Sequence, residues 1–340
     1  MRRVLIACVL ASACRTEMPL APQDAGPDVS LAFSIVDADP SLAPAVASSS
    51  TRADADRLAS YAAAVPITSK SIGHTSVVFR VDFESDAEKL RAAYKPESKR
   101  GHKRYRAEVA AYRLAKALGI GNVPPATIRV FRREALRASA MNDTELDAPG
   151  VPHALALFDA EVMDRSGRVY GALMPWIPKL EFIPLESPAE KARWKTELTS
   201  AGDLTEDRRR LASQISTLVV FDALTGNWDR WSGANVGIDK ATGTLLYVDN
   251  DAAFFDPIPP LFAAQLTLLR GVDRFSRALV SRLRALDALS MADAIGEEEP
   301  GVPLLSAHGI AAADQRRKDI LAIIDAKIAA LTEPAVLFFP

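Results

Sequence analysis

The order of strand-like and helix-like patterns along the chain is the feature that most constrains its fold. Apolar and β-branched runs predict five strands, at 77–83, 90–95, 128–131, 160–163 and 169–174. The last two are expected to form a hairpin that turns at Gly167. Helical periodicity dominates beyond residue 187. Because strands are grouped before helices and do not alternate with them, the sequence predicts an α+β fold with two lobes.

The helical segments carry apolar residues at three- and four-residue spacing. The predicted helices cover 105–118, 188–198, 206–224 and most of 260–331. Ser187 begins a capping box and is followed by a proline, which favours a helix start at that point. A short strand pair at 236–238 and 245–248 interrupts the helices. The carboxy-terminal half is therefore predicted to be the helical lobe.

Charge and cysteine usage exclude several classes of protein. Lys and Arg total 41 against 43 Asp and Glu, a formal charge of −2, whereas nucleic-acid binding usually needs a basic patch. No nucleic-acid partner is therefore expected. The two cysteines are Cys8 and Cys14, so a disulfide framework in the body of the chain is excluded.

The amino terminus has the pattern of an export signal. A short basic start precedes an apolar run at 4–10, and Ala11-Ser12-Ala13-Cys14 follows. Small residues at 11 and 13 fit signal-peptide cleavage, and the run is shorter than the roughly 20 residues of a membrane-spanning helix. A cut after Ala13 resembles processing of a bacterial lipoprotein, with a lipid anchor at Cys14. An ordinary secretory signal with an incidental cysteine is the alternative.

The segment after the signal is rich in Ala, Pro, Asp and Ser, a composition that does not bury enough apolar surface to become ordered. We therefore predict a signal peptide at 1–13 and a flexible tether at 14–56. The organised part divides into an N-lobe at 57–178 and a C-lobe at 179–335. The predicted location is exported and lipid-anchored at the bacterial cell envelope, on the periplasmic or surface side.

Motifs of several common enzyme classes are absent from the sequence. It has no G-x-x-x-x-G-K-[ST] phosphate loop, no G-x-S-x-G elbow and no H-E-x-x-H zinc motif. A distributed set of charged and amide residues remains, namely Lys95, Glu108, Asp229, Asn235 and Asp249. Phosphoryl transfer from a nucleotide uses this inventory: a lysine for the phosphates, a glutamate that fixes the lysine, an Asp that orients the acceptor, and an Asn and an Asp for metal.

Three blocks of sequence carry a resemblance to a known family. They are Tyr94-Lys95-Pro96, then E-V-A-A-Y-R-L-A-K-A-L-G from Glu108 with V-P-P at 123–125, and finally G-N-W-D-R from Gly226 through Asn235 to D-N-D at 249–251. In this order and spacing they resemble the atypical kinase-like superfamily. Phosphatidylinositol 3-/4-kinase-like bacterial proteins and secretory-pathway kinases look most similar. The resemblance covers about 70–250 and implies a two-lobed kinase-like fold, with a strand-rich N-lobe and a helical C-lobe.

The resemblance also implies roles for individual residues. Lys95 would contact the phosphates of ATP and Glu108 would pair with Lys95. Asp229 would be the catalytic Asp, while Asn235 and Asp249 would bind Mg²⁺ or Mn²⁺. Asp251 is the alternative metal ligand, and spacing favours Asp249.

Two further segments are implied to contact the nucleotide. The backbone around Met174 and Trp176 would form the hinge that meets adenine. The loop at 71–76, which contains Gly73, would cover the phosphates. Taken singly, the charged residues also fit ordinary structural positions. Lys95 fits a strand-end lysine, Glu108 a helix-surface glutamate and Asp249 a turn aspartate.

The expected function is an ATP- and metal-dependent phosphotransferase that acts on a hydroxyl of a protein, lipid or sugar. Two alternatives stay open at this point. Because nucleotide is scarce outside the bacterial cytoplasm, an exported chain can instead be a non-catalytic pseudokinase that binds nucleotide or a partner. The third possibility is nucleotidyl transfer, in which AMP moves to the acceptor.

Overall fold

An antiparallel sheet of five strands dominates the first half of the chain. The computed structural model describes residues 46–73, 76–84, 90–143 and 153–340. The strands of this sheet are β1 (Val65–Ser71), β2 (Phe79–Glu84), β3 (Leu90–Pro96), β4 (Thr127–Arg132) and β5 (Arg168–Pro175). Their spatial order is β1-β2-β3-β5-β4, and each neighbouring pair is antiparallel. Strand β3, which carries Lys95, is therefore central.

Helices cover both faces of this sheet. They are α2 (Tyr105–Ala117), α3 (Arg133–Met141) and α4 (Ala154–Glu161), and a further helix, α1 (Val46–Ala59), precedes the sheet. Alternation along β5 separates the two faces: Val169 and Leu173 pack with α3 and α4, while Tyr170 and Ala172 join the core that contains α2. Both sides of the sheet are thus buried around β3 and β5.

The second half of the chain is mainly helical, as the sequence predicts. Its helices are α5 (Pro188–Glu197), α6 (Glu206–Thr225), α7 (Ala263–Arg270), α8 (Arg277–Ala285), α9 (Ala288–Ile295), α10 (Ala307–Ala330) and α11 (Glu333–Val336). A three-stranded antiparallel sheet combines β6 (Leu180–Phe182), β7 (Val236–Asp239) and β8 (Thr244–Tyr247). A two-stranded hairpin, β9 (Glu297–Glu299) and β10 (Val302–Pro303), lies between α9 and α10. The predicted α+β class, strand-rich first and helical afterwards, is confirmed.

Helix α6 is the central element of the helical half. Ile215, Leu218, Phe221 and Leu224 have no exposed surface, and they recur every three residues along the buried side of the helix. The helix ends at Gly226, whose φ of 71° is left-handed and favours glycine. The chain that follows α6 is thereby turned toward the end of the β7–β8 hairpin, where Asn235 and Asp249 lie.

Two predicted strand assignments in the first half need correction. The predicted strand at 160–163 is wrong, because α4 extends through Glu161. The His153 side chain caps α4 by accepting from the Leu155 N–H, and Phe158 is fully buried. The predicted hairpin at Gly167 is wrong too, since β5 pairs with β4 and β3. A short apolar run fits either a strand or a buried helix.

Strand β1 is missing from the sequence prediction. It contains Pro66, and its register shifts between Pro66 and Thr68. Proline is tolerated there because β1 is an edge strand. The proline weakens the strand pattern in sequence without excluding the strand in the fold.

The last part of the segment predicted to be a tether contains a helix in the structure. Helix α1 begins at Val46, whereas the tether was expected to continue to residue 56. The Arg57 guanidinium donates to the Trp176 carbonyl at 2.7 Å, and Leu58 packs against the main core. Tertiary contacts therefore hold the end of α1. The predicted signal peptide, Cys14 and residues 14–45 lie outside the described residues. Within the described ranges, no helix is both long and apolar enough to cross a membrane.

Gly171 allows β5 to pack closely against β3. A Cβ atom at this position would lie 2.5 Å from the Lys95 carbonyl oxygen and 2.6 Å from the Tyr94 ring. Tyr94 is fully buried and cannot move aside. We expect Gly171→Ala to lower the free energy of unfolding by about 1–3 kcal/mol, measured by urea denaturation.

Gly121→Ala is the matched control. Among the described residues, and apart from Gly121 itself and its two chain neighbours, no heavy atom lies within 4 Å of a Cβ placed at Gly121. Its free energy of unfolding should change by less than about 0.5 kcal/mol. Equal effects at the two positions would contradict the close approach of β5 and β3.

Candidate active site

Lys95 is the central charged group of the site. It lies near the end of β3, opposite Ala172 of β5, and its side chain is 8% exposed. Its Nζ atom lies 2.9 Å from Glu108 Oε2, 2.5 Å from Asp249 Oδ1 and 3.4 Å from Asp251 Oδ2. Burial alone lowers the pKa of Lys95, but the three carboxylates outweigh burial and hold that pKa well above its usual value. The ammonium is therefore charged.

Glu108 joins three separate parts of the fold. It lies in the first turn of α2 and is buried. Besides the Lys95 ammonium, it accepts the backbone N–H of Asn250 at 3.0 Å and the Asn250 side-chain amide at 3.3 Å. The carboxylate thus links β3, α2 and the segment that follows β8.

The two aspartates after β8 have different environments. Asp249 has a positive φ of 56°, and its side chain is 37% exposed. Asp251 is 7% exposed and contacts the Arg104 guanidinium at 2.6 Å. Burial raises the pKa of Asp251 to about 6, against the opposing charge of Lys95. Burial also raises the pKa of Asp249, but the positive charge of Lys95 outweighs burial and holds that pKa below its usual value. Asp249 is therefore the more accessible carboxylate of the two and the one with the lower pKa.

Asp229 and Asn235 lie in the loop between α6 and β7. The Asn235 side-chain amide donates to the Asp229 carbonyl at 2.9 Å and to Ser232 Oγ at 3.2 Å. The Asn235 carbonyl accepts the N–H of Val248, the residue before Asp249. Asp229, Asn235 and Asp249 are therefore brought to one end of the β7–β8 hairpin.

Arg230 and Asp222 form a buried ion pair that the sequence analysis did not identify. The Arg230 Nε atom lies 3.2 Å from both carboxylate oxygens of Asp222, and each side chain is at most 1% exposed. Burial raises the pKa of Asp222 to about 6, with Arg230 opposing the rise. A signal was present, since Asp222 interrupts the apolar face of α6 next to Phe221.

Arg230 also binds the two segments that carry the expected metal ligands. Its Nη1 donates to the Asn235 carbonyl at 2.7 Å and to the Val248 carbonyl, and its Nη2 donates to Asn250 Oδ1 at 2.5 Å. The planar guanidinium has enough donors in a fixed arrangement for all these acceptors. One side chain therefore sets the spacing between Asn235 and Asp249.

The residues present fit a divalent cation that arrives with a nucleotide. Among the described residues, no group of three or more His, Cys, Asp or Glu is arranged to hold a metal ion. Asp249 and Asn235 provide a carboxylate and an amide at the same end of the β7–β8 hairpin. Mg²⁺ is commonly bound through one or two such groups with phosphate oxygens and water completing the shell, and this pair matches that requirement.

The end of the loop that was expected to cover the phosphates, at Ser76, lies next to Lys95. Gly73 lies between β1 and β2, and a Cβ there would be 2.1 Å from the Ser76 carbonyl oxygen. His74 and Thr75 of this loop lie outside the described residues. Next to Lys95 is a cavity of about 100 Å³, lined by Ser76, Val77, Lys95, Pro96, Ser98, Arg100, Gly101, Arg104, Tyr105 and Asp251.

The expected hinge residues already have backbone partners. Met174 pairs with Ala93 between β5 and β3. The Trp176 N–H donates to the Arg91 carbonyl at 2.8 Å, and the Trp176 carbonyl accepts from Arg57. A carbonyl has two lone pairs, so the Trp176 oxygen retains capacity for one more donor. An adenine contact at Trp176 therefore remains a prediction for the carbonyl and not for the N–H.

Comparison with known proteins gives no match in sequence but clear matches in structure. No protein-family model matches the chain, and no curated protein matches it significantly. A structure of the Golgi casein kinase with Mn and ADP bound is similar, with 17% identity and a TM-score of 0.63, over 84% of this chain and 79% of that chain. A second Golgi casein kinase structure has 16% identity and a TM-score of 0.62, over the same shares of the two chains.

Fam20 from hydra, with a sugar, is also similar. It shares 16% identity and a TM-score of 0.60, over 82% of this chain and 90% of that chain. At these identities the comparison shows the fold alone. The antiparallel sheet followed by a helical part, predicted as kinase-like from three short blocks of sequence, is confirmed: the chain has the kinase-like fold of these secretory kinases.

Proposed function

We propose that this protein is an ATP- and divalent-metal-dependent phosphotransferase that acts on a hydroxyl group. The observation that carries the proposal is the contact of Lys95 with both Glu108 on α2 and Asp249 after β8. Asp229 and Asn235 are held at the same end of the β7–β8 hairpin. Phosphoryl transfer needs these groups close together and already oriented.

Each residue has a distinct part in the proposed reaction. The Lys95 ammonium binds phosphate oxygens of ATP, and Glu108 keeps the ammonium oriented. Asp229 orients the acceptor hydroxyl and accepts its proton. Asn235 and Asp249 hold Mg²⁺ or Mn²⁺, which when bound neutralises charge on the transferring phosphoryl group. The Golgi casein kinase structure with Mn and ADP supports this choice of ligands.

We further propose that the reaction takes place outside the cytoplasm. The support is the sequence pattern of the first 14 residues, which favours export and a lipid anchor at Cys14. The acceptor would then be a protein, lipid or sugar of the bacterial cell envelope. All the residues expected for phosphoryl transfer are present, namely Lys95, Glu108, Asp229, Asn235 and Asp249. This favours catalysis over a pseudokinase, because a scaffold has no need of all five.

Nucleotide and metal should stabilise the protein together. A ligand that binds only the folded state raises its apparent stability by about 2.7 kcal/mol at a hundredfold excess over Kd. We expect ADP with Mn²⁺ to raise the midpoint of thermal unfolding by several degrees, and ADP with a chelator to have a much smaller effect. Asp249→Asn should abolish the metal-dependent part, because Asp249 is the accessible carboxylate.

Asp251→Asn is the comparison that separates the two candidate metal ligands. Asp251 is buried against Arg104 and Lys95, so its variant should keep the metal-dependent rise. Loss of that rise in Asp251→Asn but not in Asp249→Asn would reverse the assignment. No rise for the wild-type protein at millimolar ADP and Mn²⁺ would exclude the proposed nucleotide site.

Turnover should depend on Asp229. Hydrolysis of ATP labelled on the γ-phosphate needs no identified acceptor, because water takes its place. We expect Asp229→Asn to lower this rate at least about 100-fold, the lower range of a positioned general base. Nucleotide affinity should change little, since Asp229 has no contact with Lys95 among the described residues.

Asp207→Asn serves as the control, because Asp207 is exposed in the first turn of α6, at the other end of that helix from the site. Its hydrolysis rate should equal that of the wild type.

Label retained on the protein from α-labelled ATP, with none from γ-labelled ATP, would instead identify AMP transfer. Nucleotide binding without any turnover would identify a pseudokinase.

A further inference from the structure

The hairpin β9–β10 contacts the start of α2 through a buried carboxylate. Glu298 in β9 has a side chain with no exposed surface. It accepts hydrogen bonds from the Tyr105 hydroxyl and the Arg106 guanidinium, both in the first turn of α2, and from Arg165 at 3.0 Å. Burial raises the pKa of Glu298, but these donors outweigh burial and hold it below its usual value. The carboxylate is therefore charged at neutral pH.

Main-chain contacts strengthen this attachment. Arg113, two turns further along α2, donates to the carbonyls of Ile295 at 2.7 Å and Glu297 at 3.1 Å. Arg106 also donates to the Pro303 carbonyl of β10 at 3.4 Å. The hairpin thus holds α2 at its first turn and again near its end.

The sheet is tied to the same hairpin. Arg165 binds Glu97, the residue after β3, at 2.6 Å while it binds Glu298. The Tyr170 hydroxyl in β5 donates to Glu299 at 3.0 Å. The hairpin therefore fixes α2 relative to the strand that carries Lys95.

Two of the hairpin contacts lie on the side of α2 away from Glu108, whereas the third, Tyr105, lies close to the Glu108 side and lines the cavity next to Lys95. Arg106 and Arg113 are seven residues apart, close to two helical turns, and share one side. Glu108 is two residues from Arg106, about 200° around the axis, and so faces the opposite side. Because an α-helix moves as a rigid unit, a contact on the hairpin side determines where Glu108 lies on the Lys95 side.

We propose that Glu298 is a positioning residue for the active site: through Tyr105 and Arg106 it holds α2 where Glu108 reaches Lys95 and the Asn250 N–H. The consequence for nucleotide binding rests on the proposed function. The positioning itself does not, because the hydrogen bond from the Asn250 N–H to Glu108 can be followed without any ligand.

Hydrogen exchange in Glu298→Gln tests the positioning. The variant keeps the size of the side chain and removes its charge. If α2 shifts, the Asn250 amide loses its acceptor, and we expect it to exchange at least about tenfold faster than in the wild type. Core amides of α6, such as those of Phe221 and Leu224, should exchange at the wild-type rate. Glu333→Gln is the control, since the Glu333 carboxylate forms an exposed ion pair with Arg277, which belongs neither to α2 nor to the β9–β10 hairpin.

Equal acceleration at Asn250 and in α6 would show that Glu298 contributes only to global stability. Unchanged exchange at Asn250 would overturn the proposal as well. Should Glu298→Gln fail to fold, Tyr105→Phe removes a single hydroxyl from the same contact. That variant should show the same selective change at Asn250, smaller in size.

Nucleotide affinity gives the second readout, as a double-mutant cycle. We expect Glu298→Gln to weaken binding of ADP with Mn²⁺ about fivefold or more, a typical coupling between sites. In a Glu108→Gln background the same substitution should change the affinity less than twofold, because Glu298 acts through Glu108. Additive effects would contradict this route. If the wild type binds no nucleotide, the proposed function fails while the exchange experiment still decides the positioning.

Discussion

The buried guanidinium of Arg230 is the group on which the geometry of the site depends. Removing such a charge from water costs several kcal/mol unless it is paired and fully hydrogen-bonded. Arg230 meets that condition with Asp222 of α6, the carbonyls of Asn235 and Val248, and the Asn250 side chain. In this arrangement of the three segments, each of its three nitrogens donates to at least one acceptor. The hydrogen bonds that offset the cost of burying Arg230 therefore also fix the loop that carries Asp229 and Asn235 against the end of the β7–β8 hairpin.

The charges around Lys95 are consistent with the nucleotide–metal pair of the proposed function. Three carboxylates contact one ammonium, and among the described residues only Asp251 has a second ion-pair contact, with Arg104. The excess of negative charge favours a cation at Asp249, the exposed member. Once a cation takes over that carboxylate, Lys95 can turn its donors to a phosphate while Glu108 still holds it. In the proposed function, binding of the metal at Asp249 would therefore favour binding of the phosphate at Lys95, and the reverse.

The sequence predicted those parts of the fold and site that depend on local pattern. The periodicity of α2 and α6 and the strand pattern of β3 were correct, and Lys95, Glu108 and Asp249, taken from separate blocks, do come together. Errors arose where local pattern was weak. The apolar residues near Phe158 fit a strand as well as the helix that tertiary burial selects, and a proline obscured the edge strand β1.

The contacts that hold the site in place could not be predicted, because they join charged residues far apart in sequence. Tyr105 and Glu298 are 193 positions apart, and β9 itself is the acidic run Glu297–Glu299. In sequence such a run indicates a solvated surface, since a lone buried carboxylate is unfavourable. Burial becomes favourable only after the fold brings Arg106 and Arg165 to the same carboxylate. The buried charge of Glu298 is thus a consequence of the tertiary structure, because its partners come from segments far away in the sequence.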